Sequence, residues 1–175
     1  MNHHSAKKRF EQARAEVEIH PDSARAHYNL GLAHTRAGRM DSAAAAYRRA
    51  LELDPALEQA WVNLGGTLLL KWDFKGALEA NKKALELNPG LVEAHFGLGQ
   101  AALYLEQADE VVRCNRKVVE LDPEHAAGHY YLAVGLLNQG DAVAAREELS
   151  LAMSLGHRPR PEFLRELEKA ELRQQ

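Results

Sequence analysis

Apolar positions in this chain recur at helical spacing, and the pattern repeats every 34 residues. The clearest mark of the register is Ala60-Trp61-Val62-Asn63-Leu64-Gly65-Gly66. It is echoed by Ala26-His27-Tyr28-Asn29-Leu30-Gly31, Ala94-His95-Phe96-Gly97-Leu98-Gly99 and Gly128-His129-Tyr130-Tyr131-Leu132-Ala133. Pro21, Pro55, Pro89 and Pro123 keep the same interval of 34, and three of them follow a Leu-Asp or Leu-Asn ending. Proline disfavours helix at the preceding residue, so each marks one helix end and the approach to the next start. Between prolines lie two amphipathic segments, such as Ala24 to Ala37 and Asp41 to Leu53, split by Gly38-Arg39. Each block therefore predicts a helix, a tight turn and a second helix.

Within a block the small residues carry the packing. In the segment after Pro55, Trp61, Leu64, Gly65 and Leu68 share one face, where Gly65 admits a close neighbour and Trp61 and Leu64 fill the space around it. Ala77 and Ala84 are small in the second segment for the same purpose. The ends complete the array. Ala6, Phe10, Ala13 and Val17 form an i, i+4, i+7, i+11 stripe, the second helix of a copy whose first helix is missing. From Pro161 a last helix turns Phe163, Leu164, Leu167 and Ala170 inward and Arg165, Glu166, Glu168 and Lys169 outward, as a terminal capping helix requires.

With these residues in register, the chain resembles the tetratricopeptide repeat family, whose 34-residue signature carries Trp, Leu-Gly and Tyr in its first helix and Ala, an aromatic, Ala and Pro thereafter. Copy one supplies Leu30-Gly31, Gly38, Ala43, Tyr47, Ala50-Leu51 and Pro55, with His27 and His34 in aromatic places. Copy two supplies Trp61, Leu64-Gly65, Ala77, Ala84-Leu85 and Pro89. Copy three keeps Leu98-Gly99 and Pro123 but has Val111, Asn115 and Val118-Val119, and copy four keeps Leu132, Gly140, Ala145 and Ala152 with His157 in the proline's place. The resemblance implies an all-α, right-handed α-solenoid. Its expected divisions are residues 1–4, disordered or foreign to the natural chain; 5–20, a half-repeat; 24–57, 58–91, 92–125 and 126–159, four repeats; and 160–175, the capping helix.

Composition narrows the partners. Net charge is −3 with both signs interspersed, so no basic field draws nucleic acid or an anionic membrane. No apolar run is long enough to insert in a membrane and the N-terminus lacks an apolar signal core, so a cytoplasmic location is expected for the chain as written. Cys114 is the only cysteine, which excludes an intrachain disulfide.

Chemistry is hard to place on this pattern. His27, His95 and His129 fall at equivalent points of different copies, separated by about the 8–10 Å of packed helices, too far apart to share an ion; His125 and His129 are four apart without a third ligand. Ser5, Ser23, Ser42, Ser150 and Ser154 lie at helix starts or inside second helices, not on a nucleophile elbow. Gly65-Gly66 and Gly97-Leu98-Gly99 fall inside helices and not in a phosphate loop. Neither catalysis nor a cofactor or metal site is expected.

The remaining signal is a surface. Opposite the packing face, the first helices present Arg25, Tyr28, Asn29, Leu32, Thr35 and Arg36 in copy one and Gln59, Val62, Asn63, Gly66, Leu69 and Leu70 in copy two. Copy three presents Glu93, Phe96, Gly97, Gln100, Leu103 and Tyr104, and copy four Ala127, Tyr130, Tyr131, Val134, Leu137 and Asn138. In solenoids of the family this arc lines the concave side. The row Tyr28, Val62, Phe96, Tyr130 suits an extended segment or amphipathic helix of a partner protein, while Leu69, Leu103 and Leu137 can equally pack between copies. Asn29 and Asn63 can bond a peptide backbone and are similar to the asparagine ladder of the O-linked N-acetylglucosamine transferase family; Gly97 and Tyr131 end the row. The lysine, arginine and asparagine clamp of repeats that capture acidic chaperone tails is matched only by Asn63. The expected groove is Tyr28, Asn29, Val62, Asn63, Phe96, Gln100, Tyr104, Tyr130, Tyr131 and Asn138, working as a non-catalytic protein-binding module. A recruiting arm of a larger enzyme or envelope-assembly machine, and a homodimer through the N-terminal edge, stand as alternatives.

Overall fold

The computed structural model describes residues 3–173, with side chains from Lys8 onward. Met1 and Asn2, within the segment expected to be disordered or foreign, and the side chain of Ala6 lie outside the described residues. The chain divides between Pro89 and Gly90 into two compact units. The first holds α1 (His3–Ile19), α2 (Ala24–Arg36), α3 (Met40–Leu53), α4 (Glu58–Leu70) and α5 (Phe74–Leu87). The second holds α6 (Val92–Tyr104), α7 (Ala108–Leu121), α8 (Ala126–Asn138), α9 (Ala142–Ser154) and α10 (Pro161–Arg173). No strand occurs among the described residues.

Local chemistry sets the helix limits. Ser23, Asp73 and Asp141 accept from the backbone N–H groups of Ala26, Gly76 and Ala144, and His125 does the same with Nδ1 toward Gly128 at 2.8 Å. The turns between paired helices close on one left-handed residue, Gly38 at φ 71° and Gly140 at φ 87°. Trp72 at φ 63° and Glu106 at φ 57° hold the same turn position in copies two and three.

Helix pairs approach through the first-helix glycines. A Cβ on Gly31 would stand 2.5 Å from the ring of Tyr47, and one on Gly65 would stand 2.5 Å from Nδ2 of Asn81. Asn81 and Asn115, respectively 1% and 0% exposed, occupy in copies two and three the place Tyr47 fills in copy one, and each donates Nδ2 to the carbonyl four residues back, Ala77 or Val111. A short amide whose Nδ2 bonds its own helix thus replaces a ring, and in Asn115 the side-chain oxygen is left buried without a partner. In the second unit the core gathers Val112, Tyr130, Leu132, Leu136 and Leu149, closed by Phe163 and Leu167 of α10. A two-pronged Arg146–Glu171 ion pair, both bonds 2.7 Å, ties α10 to α9.

At the other end, α1 packs on α2 with Ala13 buried and Phe10 and Val17 half-buried. Phe10 meets His34 edge-on at 5.0 Å, and the Arg39 guanidinium lies 4.9 Å from the Phe10 ring centre. Burial, then the charge of Arg39, lowers the His34 pKa below its ordinary 6.5, and its Nδ1 is buried without a hydrogen-bond partner. Because the unfolded imidazole binds its proton at higher pH than the folded one, the stability from neutral His34 is complete above 6.5 and is lost as pH falls through the lowered folded value. The thermal midpoint is therefore expected to drop between about pH 7.5 and about pH 5.5, and to drop less in His34→Gln; parallel profiles for the two proteins would contradict this role.

Candidate peptide-binding faces

Each unit presents its own first-helix face. In the first, Asn63 donates Nδ2 both to the carbonyl of Gln59 at 2.8 Å and to the hydroxyl of Tyr28 at 3.1 Å. Its two amide hydrogens are thereby engaged, and the carbonyl oxygen is the remaining polar atom of the side chain. Tyr28 is only 8% exposed, held against Tyr47 at 6.0 Å with the Arg25 guanidinium 5.3 Å from its ring centre. The expectation that it stands open on a groove wall is corrected: Tyr28 is a packing residue that orients Asn63. Thr35 likewise turns toward the core, its hydroxyl 3.0 Å from that of Tyr47. Asn29 and Val62 are half-buried, and a Cβ on Gly66 would meet open space.

In the second unit, aromatic rings form a continuous row. His125 lies 4.8 Å from Phe96, Phe96 meets Tyr131 edge-on at 5.5 Å, and Tyr131 meets Tyr130 at 5.4 Å. Tyr130 is sealed at 4% exposure between Phe163, edge-on at 5.3 Å, and His157, stacked at 4.3 Å. Its place on an open wall is also corrected, because α10 covers it. Phe96, Gln100 and Tyr131 are half-buried, and Asn138 and Tyr104 are exposed, Tyr104 to 57%. Leu103 and Leu137 pack against the core of their unit, as do the buried Val134 and the sealed Tyr130. Gly97 is buried.

The equivalent histidines have a job that spacing alone did not reveal. Trp61 donates its indole N–H to the carbonyl of Pro55 at 2.9 Å; His27 Nε2 reaches the carbonyl of Pro21 at 2.8 Å and His129 Nε2 that of Pro123 at 3.0 Å. A carbonyl only accepts, so these imidazoles carry hydrogen on Nε2 and replace tryptophan as the donor that fastens the turn to the helix. The other nitrogen of His129 faces Glu148 at 2.6 Å. The clue lay in the sequence, a ring N–H donor six residues after each of Pro21, Pro55 and Pro123. Among the described residues no three His, Cys, Asp or Glu lie together as a metal set, and no helix is long and apolar enough to cross a membrane.

A family model described as tetratricopeptide repeat matches residues 2–58 and 96–153. The chain belongs to the tetratricopeptide repeat family. No curated protein sequence matches it. Among solved structures, MamA residues 41 to the end from Desulfovibrio magneticus RS-1 is 24% identical with a TM-score of 0.80, covering 86% of this chain and 85% of that one. PilF of Pseudomonas aeruginosa is 23% identical with a TM-score of 0.79, over 96% of this chain and 80% of that one. A further MamA crystal structure is 16% identical with a TM-score of 0.79, over 83% and 85%. At these identities the likeness is one of fold, an all-α solenoid of tetratricopeptide repeats. Such repeats are protein-interaction modules, which is the coarse functional class of this chain, and proteins of the family are generally non-catalytic scaffolds.

Proposed function

We propose that the chain holds a peptide segment of a partner protein on its first-helix faces, above all on α6 and α8 of the second unit. The observation that carries this reading is the row Phe96, Gln100, Tyr104 along α6, at i, i+4, i+8, with Tyr131 of α8 edge-on to Phe96. Apolar rings supply contact area while Gln100 and Asn138 offer both donor and acceptor groups to a peptide backbone. On the first unit, Asn29, Val62 and the carbonyl oxygen of Asn63 form the corresponding face.

Selection of peptides from a random library with the full chain as bait tests this reading. Enriched peptides are expected to share an apolar anchor, and Tyr104→Ala and Phe96→Ala are expected to weaken them by roughly tenfold or more. Because Tyr104 is mostly exposed, Tyr104→Ala is expected to change stability by only about 0.5 kcal/mol. Enrichment that is indifferent to both substitutions, or no enrichment at all, would overturn the assignment of this face.

A further inference from the structure

Inside a helix glycine is the least favourable residue short of proline, so each such position asks for a reason. Gly31, Gly65, Gly99, Gly128 and Gly135 supply one, since a Cβ on any of them would come within 3.0 Å of a packed neighbour. Gly66, in the middle of α4, does not. It is exposed, its backbone is helical, and a Cβ on it would meet nothing within 4 Å. The same point of the other copies carries Leu32, Gln100 and Val134. A bare glycine where the chain itself leaves room lets a backbone from outside lie directly on the helix.

The residues around Gly66 define that backbone's chemistry. Arg25, Asn29, Leu32 and Arg36 form one stripe of α2, at i, i+4, i+7 and i+11, and one repeat on Gln59, Asn63, Gly66 and Leu70 form the same stripe of α4. Buried Tyr28 serves both: its hydroxyl accepts from Nδ2 of Asn63, and the Arg25 guanidinium lies 5.3 Å from its ring centre. Both arginines are exposed, and neither has an ion-pair partner among the described residues. Helix α2 has no acidic residue and α4 has only Glu58, at its first position. In a chain of net charge −3 this face is locally positive. Eleven residues of helix rise about 16 Å, a span that an extended segment covers in about five residues.

We propose that the first-unit face holds an extended, acidic segment of the partner protein. Its backbone lies against Gly66, one of its N–H groups donates to the Asn63 side-chain oxygen, and two carboxylates about five residues apart meet Arg25 and Arg36. Half-buried Leu32 and Leu70, 62% exposed, give apolar contact to the side chains between. The Asn63 oxygen only accepts, so it suits a chain with N–H groups rather than a phosphate backbone. The proposal rests on the reading of the first-helix faces as peptide-binding and adds to it the chemistry of the partner.

Two octapeptide libraries test it, one with Glu fixed at the second and seventh positions and one with Lys there, each passed over the full chain. The acidic library is expected to be retained about tenfold better or more, and Arg25→Glu with Arg36→Glu to reverse that preference. Gly66→Ala is expected to raise the thermal midpoint, because alanine is the better helix former, yet to weaken the retained peptides by about tenfold. Gly66→Gln, with the side chain that copy three carries there, is expected to abolish their binding. A glycine with only a structural role would not move stability and binding in opposite directions. Acidic peptides that depend on Gly66 and the arginines but ignore Phe96→Ala and Tyr104→Ala would uphold this site and overturn the one on α6 and α8. Peptides weakened by Phe96→Ala but indifferent to Gly66→Ala and to the arginine reversals would overturn this site alone. Retention of neither library would overturn both.

Discussion

Truncating Phe163 to alanine is expected to destabilise the protein by about 3–5 kcal/mol. Phe163 is 5% exposed and seals the edge of Tyr130 at 5.3 Å, while Leu167, one turn further along α10, is wholly buried. Alanine would remove the ring and leave a cavity that α8 and α9 can only partly close, since the Arg146–Glu171 pair holds α10 where it is. The loss should appear in urea denaturation followed by circular dichroism. A control at Leu172→Ala, where the side chain is 71% exposed, should stay within about 0.5 kcal/mol of the parent. Equal effects at the two positions would mean that α10 does not close this core. The substitution also bears on the aromatic row: with Phe163 gone, Tyr130 would join Tyr131 and Phe96 on an accessible surface. Peptide binding by Phe163→Ala under native conditions is therefore expected to broaden rather than vanish.

The same cap explains which parts of the site were legible in the sequence. The helical pairs could be read because proline spacing and small residues act on the backbone, where a single residue type leaves few alternatives. The face exposed by each first helix could not be read so well, because the boundary between stack and surface turns on a small rotation and on what the next element covers. Tyr130 occupies the same repeat position as Phe96, yet α10 encloses the one and leaves the other half-open. Tyr28 was drawn into the core by Tyr47, whereas in copies two and three the equivalent of Tyr47 is a self-bonded asparagine. Asn63 was legible as a polar point on the first-helix face, but the engagement of its amide hydrogens by Tyr28 and Gln59 depends on a residue 35 positions away. The histidines show the opposite case: the signal was present in the sequence as a fixed offset from proline, and only the hydrogen-bond geometry gave it meaning.

Gly31→Leu is expected to cost about 1–3 kcal/mol through overpacking, and the reason can be isolated by a second substitution. A Cβ at this position would lie 2.5 Å from Cε1 and 2.6 Å from Cδ1 of Tyr47, a ring with no exposed surface. The ring cannot swing aside, because its hydroxyl is 3.0 Å from that of Thr35, itself bonded to the carbonyl of Gly31, and Tyr28 flanks it. Burial pushes the Tyr47 phenol above its ordinary pKa despite the opposing Thr35 bond, as expected for a hydroxyl set deep between α2 and α3. Tyr47→Ala alone should destabilise by leaving the reverse defect, a cavity against an unfilled glycine. In the double variant the leucine at position 31 enters the space the ring has left, so the two losses should not add; a coupling of about 0.5–3 kcal/mol is expected from contacting residues. Strict additivity in that cycle would show that Gly31 is required for some reason other than the approach of Tyr47. The equivalent contact in copy two offers a graded comparison, since the neighbour of Gly65 is the terminal amide of Asn81 rather than an aromatic ring. Gly65→Ala should accordingly be milder than Gly31→Ala, with Asn81 yielding where Tyr47 cannot.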